Sequence, residues 1–302
     1  MNIAFDSKAK HEFLPLRYGS NEHKKRFCQA LVDTFDPYQP ETFSWPMLEA
    51  AAIGRLKRLG IWDIALLTER RAGQRVSRYA KAVNDPILRQ AIELNAFEEH
   101  RHYQLLTAFV ETYGITVGQQ VEGAPRNAEW EFLVTGYSEC IDSFFAFGLF
   151  AAGAEAGFLP RELVTMFEPV INEEGRHIVF FVNWMSWHRR NMSWWRRPYF
   201  EFKVLAVWLF LIYERIRLTN NTAFDSLDNN FTARGAKALG LSLDRASLME
   251  LCLEENRRRL AAYDHYLKRP RFVPWLVSQT LRVERNLLKM RASWKRICRF
   301  EQ

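Results

Sequence analysis

Apolar residues along most of this chain recur at intervals of three and four, the period of a helix with one buried face. The pattern predicts helices over about 46–82, 86–113, 128–152, 161–188, 199–219, 243–268 and 274–297. Punctuation residues set the boundaries. Pro37, Pro40 and Pro46 precede the first helix. Asn84-Asp85-Pro86 stops it and starts the next, with Asp85 as N-cap and Pro86 in the first helical position. Gly114, Gly118, Gly123 and Pro125 mark a long connection of the kind that crosses between two helix pairs. Gly153, Gly157 and Pro160 make the following turn, and a polar loop, Asn220–Asn230, ends the 199–219 helix. No useful stretch alternates with strand period. The chain therefore reads as all-α, with an N-terminal segment (1–45), four long helices (46–190) and a C-terminal helical extension (191–302).

Two of the apolar seams are interrupted in the same way. One runs Leu88, Ile92, Asn95, Glu99, His102, Leu106, Phe109; the other runs Leu163, Phe167, Val170, Glu174, His177, Phe181, Trp184. Each interruption lies in a Glu-Glu-x-Arg-His motif, Glu98-Glu99-His100-Arg101-His102 and Glu173-Glu174-Gly175-Arg176-His177. Positions i and i+3 of a helix lie about 60° apart around the axis and about 4.5 Å along it. Glu99 with His102, and Glu174 with His177, can thus each grip one ion from one face. A Glu-x-x-His on each of two helices, plus one Glu from each of two others, is the ligand set of a carboxylate-bridged di-iron centre.

That reading requires two more glutamates, one antiparallel helix upstream of each motif. Glu69 lies 30 residues before Glu99, and Glu139 lies 35 before Glu174, which gives the chain an internal pseudo-repeat. Small residues accompany both, Ala65, Ala72 and Gly73 beside Glu69, and Gly136 and Ala146 beside Glu139. Asp63 is the alternative to Glu69 but sits off the seam. Asp142, one turn from Glu139 on the same face, is the alternative or a supporting carboxylate. Four buried carboxylates carry four negative charges, and two divalent cations cancel them; an unpaired buried charge costs several kcal/mol. Glu98 and Glu173 are placed to accept a hydrogen bond from the histidine of the opposite motif, fixing its tautomer. Arg101 and Arg176 add positive charge nearby. Glu254-Glu255-Asn256-Arg257-Arg258 opens like the motif but has Arg258 where the histidine belongs.

With these residues, the stretch 45–190 resembles the ferritin-like di-iron carboxylate superfamily, particularly its oxidase and oxygenase branch. The resemblance implies a ferritin-like four-helix bundle holding two iron ions, or a manganese and an iron. It also implies Glu99 and Glu174 as bridging ligands, O2 as co-substrate, and Ser143 or Thr135 as the hydroxyl near the third glutamate that takes part in oxygen handling. Within the superfamily this chain departs from several members. Leu106 stands where the small subunit of ribonucleotide reductase has a tyrosine. The Cys-x-x-Cys iron module of rubrerythrins is missing, and ferritins lack so long a C-terminal extension. The implied reaction is hydroxylation, desaturation or N-oxygenation of an apolar or carrier-bound substrate.

Composition bounds the partners. No Gly-x-Gly-x-x-Gly and no cysteine cluster is present, so electrons are expected from a separate donor protein. Cys28, Cys140, Cys252 and Cys298 are scattered, as in a reducing cytoplasm, and the first residues show no secretory pattern. The best candidate for a span, Val204 to Tyr213, has ten apolar residues, short of the ~20 that span a bilayer; it is expected to form a fifth, buried helix. The net charge of +7 is uneven. From Arg257 to Arg299, 13 Lys or Arg face only Asp264 and Glu284, a local net of +11. Together with the Trp/Arg mixture at 184–197, this suits an anionic membrane surface, an acidic partner or nucleic acid. Three functions remain open: an oxygenase, as a monomer or a homodimer, acting on a lipid-like or carrier-bound substrate; a ferritin-like tRNA hydroxylase; and a non-enzymatic iron-binding bundle with a docking tail.

Overall fold

The computed structural model describes residues 16–118, 126–220 and 244–299, without the side chains of 217–220 and 291–299. Among these residues the secondary structure is helical, with no strand. In chain order the helices are α1 (Asn21–Asp33), α2 (Ala50–Arg58), α3 (Trp62–Ala82), α4 (Pro86–Thr112), α5 (Ala128–Glu155), α6 (Arg161–Asn191), α7 (Arg197–Asn220), α8 (Arg245–Ala261) and α9 (Phe272–Arg299), with a 3-10 turn at Pro40–Thr42. The fold is all-α. Residues 221–230 of the polar loop expected at Asn220–Asn230, and Gly123 and Pro125 of the long connection, lie outside the described residues; Asn220 itself ends α7.

Helices α3 to α6 carry the candidate ligands. Helix α3 packs along α4 and α5, and α6 packs against α5 and α4, so the four enclose a shared interior. Start signals at α4 and α5 are local. Asp85 accepts from the backbone N–H of Ile87 and Leu88 at 3.1 Å, and Asn127 accepts from that of Trp130 at 3.1 Å. Two apolar clusters occupy the interior, one including Val76, Ala96 and Ile178, the other Leu66, Phe109 and Leu163. Glu69, Glu99, His102, Glu174 and His177 fall on the helix turns between these residues. Rigid apolar walls thus hold the polar layer on both sides.

Four expectations change. The helix over 46–82 is two helices: Leu59 adopts an extended conformation (ψ 96°) and buries its side chain, and the Trp62 indole N–H donates to the Leu56 carbonyl at 2.8 Å, satisfying one end of the broken ladder. The N-terminal segment contains α1, capped by Ser20, whose hydroxyl accepts from the His23 N–H at 3.1 Å. Helix α1 packs on α4 and α6. The helix expected to reach 268 ends at Ala261, because the Arg269 guanidinium collects the carbonyls of Leu260, Tyr263 and Leu267 at 2.7–2.9 Å and stabilises a turn there. Lastly, α7 is not a buried helix. Phe200, Val204, Val207 and Leu211 are buried, whereas Leu205, Leu209, Ile212 and Tyr213 are exposed. No described helix is long and apolar enough to cross a membrane.

Candidate metal centre

Because i and i+3 share a face, α4 turns Glu99 and His102 inward together, and α6 does the same for Glu174 and His177. Two groups result, with ligand atoms within 4.8 Å of one another: Glu69, Glu99, His102 and Glu174, and Glu99, Glu139 and His177. Glu99 belongs to both. The six residues expected from spacing alone therefore converge, one carboxylate from each of α3 and α5 and a Glu/His pair from each of α4 and α6.

Each imidazole presents Nδ1 to the glutamate of the other motif. His102 Nδ1 lies 3.4 Å from Glu174 Oε1 and 3.3 Å from Glu69 Oε2, and His177 Nδ1 lies 2.8 Å from Glu99 Oε1. The last pair is close, yet neither atom has a hydrogen-bond partner of acceptable geometry; both are buried, as is the unpartnered Glu139 Oε1. Buried polar atoms are normally paired. Atoms that converge on one space without bonding each other are what a cation site requires.

The far side of each ring is tied down. His102 Nε2 lies 2.8 Å from Glu173 Oε2, and His177 Nε2 lies 2.7 Å from Glu98 Oε2. An Nε2–H donated to these carboxylates leaves the Nδ1 lone pair for a metal. Both outer glutamates are also ion-paired, Glu173 with Arg101 and Glu98 with Arg176. Arg101 is 2% exposed, a degree of burial arginine rarely shows without partners; its two terminal nitrogens are matched and its Nε is not. It donates to the Asp36 and Tyr38 carbonyls at 2.7 and 3.0 Å, and its guanidinium lies 3.7 Å from the centre of the Tyr38 ring. Arg176 donates to the Leu31 carbonyl at 3.2 Å and to Thr34 Oγ1 at 3.3 Å. The Tyr38 hydroxyl donates to Glu173 Oε2 at 3.2 Å.

These N-terminal contributions were missed by sequence reasoning. Phe27 and Leu31 follow the helical period and Ser20 is a good cap, so α1 had a signal. Tyr38 had none, since its segment carries no periodicity. Of the two hydroxyls, Ser143 donates to Glu174 Oε2 at 2.8 Å. Thr135 is buried without a hydrogen-bond partner, and Asn95 is buried with its Oδ1 unpartnered. Asp142 is not in the centre: it accepts from Ser138 and Arg215, both at 2.7 Å, and faces α7. Asp63 also points away, accepting from the backbone N–H of Gly118. Glu255, in the decoy motif, pairs with Arg258 at 2.7 Å.

Electrostatics favour protons where no cation is bound. Burial raises Glu69 to about 8. Burial, then repulsion from Glu99 and Glu174, raises Glu139 well above the carboxylate range. Burial opposes charge on both histidines, but carboxylates outweigh it, Glu173, Glu174 and Glu69 at His102 and Glu99 and Glu98 at His177, and raise both well above the usual value. Glu174 goes the other way: burial is outweighed by its bond to His102 and by nearby His177, which hold it low. All four shifts favour protonation of the metal-free site, and two divalent cations would replace the positive charge that such protons carry.

The makeup of the site, carboxylate oxygens and imidazole nitrogens without thiolates, is compatible with metal binding and does not favour metals that select soft ligands. No family model, curated protein or solved structure matches the chain.

Proposed function

We propose that this chain is an O2-activating di-iron oxidoreductase whose α3–α6 form a ferritin-like four-helix bundle. One observation carries the reading: two carboxylate/histidine groups, buried at Glu99, His102 and His177 and half-buried at Glu69, Glu139 and Glu174, share Glu99, and the rear nitrogen of each histidine is fixed by a carboxylate. Glu69, His102 and Glu174 would hold one ion, Glu139 and His177 the other, with Glu99 between them. Glu174 is the second candidate bridge. Manganese could occupy one position with the same ligands. When bound, the ions supply the redox chemistry toward O2.

The chain's own residues do the rest. Glu98 and Glu173 hold both imidazoles in one tautomer and orientation. Arg101 and Arg176 ion-pair with those glutamates, and the N-terminal carbonyls keep the arginines in place. Ser143 holds a proton 2.8 Å from Glu174 Oε2, the only one of the two candidate hydroxyls that touches a ligand. Apolar clusters flank the site above and below, and the Glu69 and Glu174 side chains stay partly open to solvent. The proposed substrate is an apolar or carrier-bound small molecule oxidised with electrons from a separate donor protein.

The test is metal content of the purified protein together with anaerobic Fe(II) loading and a stopped-flow O2 trace, on wild type, Glu99→Ala and Glu174→Ala. About two irons per chain, an O2-dependent absorbance change, and its loss in both variants are expected. A chain that binds no iron, or a response indifferent to both substitutions, would reject the reading.

A further inference from the structure

Helix α7 is apolar on both sides. Its inner side, Val204, Val207 and Leu211, packs into the core. At ~100° per residue, Leu205, Leu209 and Ile212 lie roughly opposite, and they are 54%, 59% and 51% exposed. Single exposed apolar side chains are ordinary, but a continuous run marks a docking surface. This run is extended ahead of its start and along one flank. Trp194 and Trp195 precede it, both exposed. On α9, Phe272 meets Trp208 of α7 with ring centres 4.9 Å apart, and exposed Trp275 stacks on Phe272.

The charge around this face selects its occupant. Arg196 and Arg197 are exposed beside the paired tryptophans, Arg271 is exposed just before α9, and Arg282 and Lys289 are exposed along it, where Arg285 is paired with Glu250. Glu201, the nearest acid at the α7 start, is neutralised by Arg189 at 2.9 Å. A second copy would meet this face with the same face, since two-fold contacts are isologous, and would bring the two cationic rims together. An anionic leaflet instead complements the rim with lipid headgroups and the stripe with acyl chains. Exposed tryptophans between an apolar stripe and arginines are suited to that boundary.

We propose that α7 and the first turns of α9 form a monotopic membrane-docking face, with α7 lying in the plane of an anionic lipid surface rather than crossing it. The proposal goes beyond the metal centre and does not depend on it.

The experiment is vesicle co-sedimentation of the full chain, using phosphatidylcholine alone and phosphatidylcholine with phosphatidylglycerol, alongside a Leu205→Glu/Leu209→Glu variant. Both substitutions are on exposed positions, and circular dichroism checks that the helices and melting midpoint persist. Partitioning at least about tenfold stronger onto the anionic vesicles, a blue-shifted tryptophan emission, and an about tenfold loss in the double variant are expected. Absence of binding to anionic vesicles at low salt overturns the proposal, as does equal binding by the folded variant. A concentration-dependent dimer that the variant dissociates, without lipid binding, would assign the face to a second copy instead. Retention on RNA but not on vesicles would likewise overturn it.

Discussion

His177 Nε2 lies 2.7 Å from Glu98 Oε2, although the residues are 79 positions apart and on different helices. His102 and Glu173 repeat the relationship at 2.8 Å. Each Glu-Glu-x-Arg-His motif thus supplies its own second glutamate and histidine to the centre, and its first glutamate to the histidine of the other copy. Glu98→Gln and Glu173→Gln keep the shape but weaken this acceptor. Each is expected to lower metal affinity by about 10- to 100-fold, the usual effect of removing the partner that orients a ligating histidine. Competition titration against a metal indicator measures it. Unchanged affinity in both variants would show that the outer carboxylates do not orient the rings.

Arg101 sits where the N-terminal segment meets Glu173 and His102. Arg101→Met keeps much of the volume and removes the nearer cation, leaving Glu173 buried with Tyr38, His102 and the more distant Arg176, whose Nη2 lies 3.5 Å from Glu173 Oε1. Breaking one half of a buried ion pair costs about 3–5 kcal/mol, and with Arg176 still beside the carboxylate denaturant unfolding should register a loss toward the lower end of that range. Adding Glu173→Gln should restore part of it, because the under-compensated charge is then gone. A double variant no more stable than Arg101→Met would mean that lost packing against Tyr38 dominates.

Much of the centre was legible because its geometry is intrahelical. Glu99/His102 and Glu174/His177 are fixed by the helical period, and Glu69 and Glu139 follow from the length of antiparallel helices. Asp142 shows the limit of that logic. One turn from Glu139, it shares a stripe by period, but Arg215 of α7 draws it outward, and a pairing between distant segments leaves no local trace. Tyr38 was hidden for the same reason. The break at Leu59-Gly60-Ile61 was obscured by apolar periodicity running through it. The third motif position is exposed His100 in one copy and buried Gly175 in the other. The cause is Tyr263, whose hydroxyl would lie 2.6 Å from a Cβ at Gly175. That contact too comes from another segment.

Metal uptake should be coupled to proton release. Glu69, Glu139, His102 and His177 are all raised toward protonation in the metal-free centre. Ligation requires them deprotonated. A raised carboxylate opposes folding increasingly as pH climbs from its ordinary value of 4.5 toward about 8 for Glu69. Raised histidines likewise lose their stabilising charge as pH rises through their folded values. Metal-free protein should therefore lose stability on the alkaline side while metal binding strengthens there. Calorimetry in buffers of different ionisation enthalpy should count up to about four protons released per two ions near neutral pH. A count near zero would mean that the six residues do not ligate.

Glu129, at the first turn of α5, joins that helix to α6 and α7. It accepts from His188 at 3.2 Å and pairs with Lys203. The His188 bond, opposed by burial and reinforced by Lys203, lowers its carboxyl to about 2 from 4.5. A lowered carboxylate contributes stability that is complete above its unfolded value and is lost as pH falls through the folded one. The window is therefore pH 4.5 down to about 2. At 1.36 kcal/mol per pKa unit, and with the side chain 22% open to solvent, the contribution at neutral pH is about 2–3 kcal/mol. Glu129→Gln should be less stable than wild type by that amount at pH 7, with the two unfolding curves converging as the pH approaches 2. A difference independent of pH would assign the loss to packing between α5 and α7 rather than to the charge.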